Sequence, residues 1–223
     1  MKTQPVIAAA FFAVIAPLLR AEDGKAKPQP EPEAKADLSK EQAVLKEALD
    51  NHARLRGFHV DVELKTPAGK ATMIGALGEG SLSLLCTDVK GVKKKRVVAG
   101  GEFYLSEDDG KTWKKGEAAE KEYTLLFNSI ITAPVQMRQE IVKGVFTAKE
   151  EKLNGEEVLH LEKPAKGKEA AVHFWICKEP EMKGMIFLRR TELTVSATDL
   201  ELPAIITYSK LTEPVKIAAP DSK

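Results

Sequence analysis

Between Val145 and Pro220 the chain sets apolar residues at every second position in run after run. That spacing turns successive side chains to opposite sides of a strand, so each run offers one face to a core and the other to water. The runs are Val158-Leu159-His160-Leu161-Glu162 after an Asn154-Gly155 turn, His173-Phe174-Trp175-Ile176-Cys177, Met185 to Leu193, Ile205 to Leu211 and a closing Pro214-Val215-Lys216-Ile217. Connections this short join antiparallel neighbours, so the last third reads as one continuous antiparallel sheet. The stretch holds no usable set of catalytic groups. A curved sheet with an apolar face and few reactive side chains points to holding something apolar, not to transforming it.

The same period of two begins earlier, at Phe58. Val60, Val62 and Leu64 alternate with His59, Asp61 and Glu63, and Thr66-Pro67-Ala68-Gly69 turns the chain into Ala71 to Leu77. Gly78-Glu79-Gly80 leads into Ser81 to Cys86, and Val97 to Ala99 with Glu102 to Leu105 extend the meander around Gly100-Gly101. Ahead of these strands, Ser39-Lys40-Glu41-Gln42 has the form of a capping box. Val44, Leu45, Ala48, Leu49 and His52 follow at helical spacing, predicting an amphipathic helix of about four turns that stops near Gly57. In mid-chain, Glu117 to Ala133 carries Tyr123, Leu125, Leu126, Phe127, Ile130 and Ile131, too apolar for a one-sided surface helix, and is expected to end before Pro134. A second helix with Val135, Ile141 and Val142 follows it. Placed between two groups of strands, the pair suggests a helical cover over the open side of the sheet, with Gly116 and Pro134 as hinges.

The ends of the chain bear on its destination. Met1 to Ala21 has Lys2, an apolar run from Val6 to Leu19 and a small residue at the expected cleavage point, the pattern of a secretory signal peptide. The run is shorter than the roughly 18–20 residues that span a bilayer. Glu22 to Asp37 is rich in Lys, Pro, Glu and Ala and reads as a disordered linker, which leaves 38–220 as one folded domain of the 223 residues. Loss of residues 1–21 removes Lys2 and Arg20 and no acid, taking the formal net charge from +1 to −1. That balance argues against nucleic acid as a partner. The one basic run, Lys90 to Arg96, reads as a solvated loop between strands. Cys86 and Cys177 are compatible with one disulfide or with two buried free thiols. His52, His59, His160 and His173 show no metal-ligand spacing, and no cofactor motif occurs.

Ser106-Glu107-Asp108-Asp109-Gly110-Lys111-Thr112-Trp113 matches the Asp-box pattern of sialidase-like propellers once, without the repeated copies a propeller needs. A single copy reads as a structural hairpin in which the Asp accepts backbone hydrogen bonds and the Trp packs beneath. Glu150-Glu151, Glu156-Glu157 and Asp108-Asp109 are sequence neighbours whose side chains point apart, which makes them poor acid/base pairs. These features argue against an enzyme.

The order of elements, together with Leu153-Asn154-Gly155-Glu156-Glu157 before a strand and the ending from Tyr208 to Pro220, resembles the LolA-like superfamily of periplasmic lipoprotein carriers and lipid-binding relatives. The likeness spans roughly Leu38 to Pro220. It implies an α+β fold: an incomplete, strongly curved antiparallel barrel whose open side is covered by helices, with an apolar cavity for acyl chains between them. On that reading Val60, Val62, Leu64, Leu159, Leu161, Phe174 and Ile176 form the floor. Leu125, Leu126, Ile130, Ile131, Met137 and Ile141 form the cover. The partners would be lipid or lipoprotein acyl chains and membrane-bound donor or acceptor proteins. The Arg-Pro pair that latches the lid in LolA-type carriers has no match between Ala71 and Val98. A second reading keeps the half-barrel but makes it an envelope sensor or scaffold that binds a protein partner.

Overall fold

The computed structural model describes residues 38–116, 131–135, 138, 143–167, 170–197 and 200–221. The expected signal segment and linker, and Leu125, Leu126, Ile130, Met137 and Ile141 of the expected cover, lie outside the described residues. Helix α1 (Lys40–His52) starts at the capping box read from the sequence. Ser39 Oγ accepts from the Gln42 backbone N–H at 3.2 Å, and Gln42 Oε1 accepts from the Ser39 N–H at 2.8 Å. It ends at His52, short of Gly57. Its apolar stripe, Leu45, Ala48 and Leu49, is fully buried.

Among the described residues eleven strands follow: β1 (Phe58–Thr66), β2 (Gly69–Gly78), β3 (Ser81–Thr87), β4 (Lys93–Ala99), β5 (Glu102–Ser106), β6 (Lys114–Lys115), β7 (Thr147–Leu153), β8 (Glu156–Lys163), β9 (Val172–Glu179), β10 (Met185–Ala197) and β11 (Leu200–Ser209). They form one sheet in the order β6-β5-β4-β3-β2-β1-β11-β10-β9-β8-β7. Two meanders of sequence neighbours thus meet at a central β1–β11 seam, where Val60 faces Tyr208, Val62 faces Ile206 and Leu64 faces Ala204. β6 and β7 stay unpaired with each other, so the sheet is strongly curved but open, as an α+β half-barrel. The β7 edge reads Thr-Ala-Lys-Glu-Glu-Lys-Leu, a charged sequence that discourages edge-to-edge association.

One face of the sheet carries the main core. Val60, Val62, Leu64, Leu84, Leu161, Phe174, Ile176, Ile206 and Tyr208 share it with the buried side of α1. At roughly 1.5–3 kcal/mol for each buried large aliphatic or aromatic side chain, this face is the principal source of stability.

Three expectations need correction. Lys93–Arg96 is not a loop but the first half of β4, and Arg96 is buried on the core face, opposite Leu84 and Leu105. The alternation was hidden because long cationic side chains occupy both parities of the strand. Pro214 to Ile217 is not a strand: Lys210 adopts positive φ (51°) and the Glu213 N–H bonds back to Lys210 O, turning the chain out of the sheet. Pro214 then has no N–H for a ladder. Val215 instead lies against Gly57 and Gly78, where a Cβ on Gly57 would sit 2.7 Å from Val215 Cβ. Helix does not stop before Pro134, since residues 131–135 are helical. Of the two alternatives open for the cysteines, the structure has Cys86 and Cys177 as free thiols, the pKa of each pushed up to about 11 by burial. They are therefore unreactive as nucleophiles at neutral pH.

Candidate functional site

Two spaces adjoin helix α1, and the smaller lies where the helix ends. A cavity of about 200 Å³ is walled by His52 and Ala53 of α1, Phe58 of β1, Leu77 of β2, and Ile131 and Val135 of the helical segment 131–135. The segment is fastened to the sheet from beneath, because Tyr208 donates its hydroxyl to Ile131 O at 2.9 Å in a fully buried contact. Replacing Tyr208 by phenylalanine removes that hydrogen bond. We expect a loss of about 1 kcal/mol in urea denaturation and faster tryptic cleavage at Arg138.

The His52 ring is 3% exposed and stands among aromatic neighbours, 5.0 Å from the Phe58 ring and 4.4 Å from Tyr208. Neither ring nitrogen has a hydrogen-bond partner among the described residues. Burial alone depresses its pKa to about 3, so the imidazole is neutral at physiological pH. An unfolded histidine titrates near 6.5. Below that value the unfolded chain takes up a proton that the folded chain refuses, so stability falls as pH drops from about 6.5 toward about 3. Between pH 7 and pH 5 this site is expected to remove on the order of 2 kcal/mol. The check is urea midpoints at both pH values, with His52→Phe lacking that part of the slope.

The residues assigned to the floor divide. Val60, Val62, Leu64, Leu161 and Phe174 are packed into the core and border neither cavity. Leu159 and Ile176 line a second space, a cleft of about 850 Å³ between the start of α1 and strands β7 to β10, whose walls include the charged Lys40, Glu41, Glu150 and Lys178. Of the expected cover, Ile131 is described; it is 1% exposed and borders the smaller cavity. His52 was missed because a histidine on an apolar helix stripe looks like core, and Phe58 and Leu77 because their parity marks them only as inward.

The Asp-box folds as a hairpin. Asp108 accepts from the Thr112 hydroxyl at 2.6 Å and from its N–H at 2.9 Å, and the Ser106 hydroxyl also donates to it, at 2.7 Å. Those bonds, the Thr112 hydroxyl first, hold the Asp108 carboxyl well below its usual range. Trp113 closes the turn by donating to Gly110 O at 3.1 Å. The loop's acceptors are thus used in holding the turn.

On the opposite face of the sheet an unforeseen ladder ties β7, β8, β9 and β10. Trp175 donates its indole N–H to Glu151 at 2.6 Å, and His160 lies flat on the indole at 4.3 Å. His160 Nε2 lies 3.1 Å from His173 Nδ1, and the Arg190 guanidinium sits 5.1 Å from the Trp175 ring centre. The register shifts between Leu188 and Arg190, which brings Arg189 and Arg190 to this same face. Arg189 reaches Glu156 at 2.9 Å and Glu179 at 3.3 Å. No group of three or more metal-ligating side chains occurs among the described residues, and no described helix is long and apolar enough to cross a membrane.

No family model and no curated protein matches the chain. Among solved structures it is similar to LprF from Mycobacterium bovis, with 17% identity and a TM-score of 0.56 over 83% of this chain and 99% of that one. It is likewise similar to the Mycobacterium tuberculosis lipoprotein LppX, with 17% identity and a TM-score of 0.51 over 80% and 98% of the two chains. The likeness is one of fold, which in this chain is the strongly curved, open antiparallel sheet.

Proposed function

We propose that the protein is an exported, non-enzymatic carrier that takes the acyl chains of a lipid or lipoprotein between the sheet and the helical segment that covers it. The observation that carries the reading is the apolar cavity at the end of α1, roofed by Ile131 and Val135 and floored by Phe58 and Leu77. The likeness to LppX, a lipoprotein by name, and the leader pattern of residues 1–21 support the class and its export.

At about 200 Å³ the cavity is smaller than the roughly 300–1,000 Å³ of ordinary ligand sites. A chain of about 16 carbons gains on the order of 12 kcal/mol on leaving water. That exceeds what the Tyr208–Ile131 hydrogen bond and the Arg138–Asp50 ion pair contribute to holding the segment, so loading proceeds by movement around residues 131–135. Gly116 does not act as a free hinge: a Cβ there would lie 2.0 Å from the Phe103 ring, so its small size serves close packing.

Protein purified from its native envelope should show a native mass above its delipidated mass, and the delipidated form should take up a fluorescent fatty acid. A chain that carries no lipid and takes up none refutes the carrier reading. One stoichiometric protein partner with no lipid would instead favour a scaffold.

A further inference from the structure

We propose that the His52 cavity selects apolar ligands bearing an uncharged hydroxyl, so that the cargo is a neutral lipid alcohol rather than an ionised fatty acid. This rests on the carrier reading and specifies its ligand.

A neutral imidazole has one N–H donor and one bare nitrogen acceptor. In His52 both are buried and unmet among the described residues, on a side chain that forms part of the cavity wall. Buried polar atoms in native proteins are almost always paired, so an exception on a residue that borders a cavity calls for an explanation, and a ligand atom supplies one. A hydrocarbon offers such a ring nothing. A hydroxyl donates and accepts, and so suits His52 in either tautomer.

An ionised carboxylate fits worse. It would enter an apolar enclosure of Phe58, Leu77, Ile131 and Val135 whose histidine resists taking up a proton. The cationic side chain bordering the cavity is Arg56, which is 91% exposed and 3.6 Å from Glu79. Its charge is spent in water at the rim and does not stabilise an anion inside.

Short probes sized to the cavity test the idea on the delipidated full mature chain: 1-octanol, octane and octanoate at neutral pH. The wild type should bind octanol more tightly than octanoate, and octanol but not octane should shift the imidazole nitrogen resonances of His52. His52→Phe should weaken octanol by about two- to tenfold while leaving octane unchanged. His52→Gln, which keeps a donor and an acceptor, should recover part of the loss. Equal octanol affinity in wild type and His52→Phe, preference for octanoate, or unmoved His52 resonances would overturn the proposal. The resonance measurement needs no variant and stands even if a substitution fails to fold. Uptake of a long-chain fluorescent lipid without octanol binding refutes the hydroxyl selection and leaves the carrier intact; absence of both refutes both.

Discussion

Replacing Phe174 by alanine is expected to lower the stability of the folded chain by about 3–5 kcal/mol, or roughly 6–20 °C in melting temperature. Phe174 is fully buried in β9, with Leu161 of β8 on one side and Thr191 of β10 on the other. Its ring meets Phe146, from the chain leading into β7, edge-on at 6.2 Å. Truncation leaves a void lined by strands that are held by ladders on both sides and cannot collapse into it. The measurement is a urea titration read by far-ultraviolet circular dichroism. It also separates two interiors: a loss below about 1 kcal/mol would mean that this half of the sheet faces empty space, and the ligand site would then extend from α1 to β7.

Gly75→Val should be as damaging, by a different cause. Gly75 faces Leu84 across the β2–β3 pair, and a Cβ there would fall 2.0 Å from Ser83 O and 2.7 Å from Leu84 Cδ2. The first obstacle is backbone, so no rotamer change relieves it. We expect a loss of about 3 kcal/mol or more. Ile74→Thr, at a neighbouring residue that is 54% exposed, is the control and should stay within about 0.5 kcal/mol. If Gly75→Val is tolerated, the close approach of β2 to β3 is not needed for the sheet to curve.

The parts of this molecule that were legible in its sequence are those set by near neighbours. The Ser39–Gln42 box, the Val60-Val62-Leu64 alternation, the Asn154-Gly155 turn and the Asp108 hairpin each depend on residues a few positions apart, and each is found as read. What pairs at long range was not legible. Nothing within β1 shows that its second partner is β11, and nothing within β9 shows that Trp175 meets Glu151 two strands away. Arg96 was obscured by its company in Lys93-Lys94-Lys95, although its parity matches the buried Val98. In the candidate site the inward residues could be named, but which of them pack and which border a cavity depends on where α1 and the segment around Ile131 come to rest. His52 is the clearest instance, being helix stripe in the sequence and cavity wall in the fold.

The seam between β1 and β11 sets an order of events for the newly made chain. Within each meander, strands pair with sequence neighbours through short turns, at little cost in loop closure. At the seam His59 pairs with Ser209 and Leu64 with Ala204, so the centre of the sheet must wait for nearly the last residue to be synthesised. Two half-sheets, each with one apolar face and one unpaired central edge, are therefore expected to form before the whole does. Pulse-labelled hydrogen exchange should find the β2–β3 and β9–β10 amides protected first and the β1–β11 amides last. In the interval the exposed central edges are where this protein is most open to capture by a chaperone or by another copy of itself.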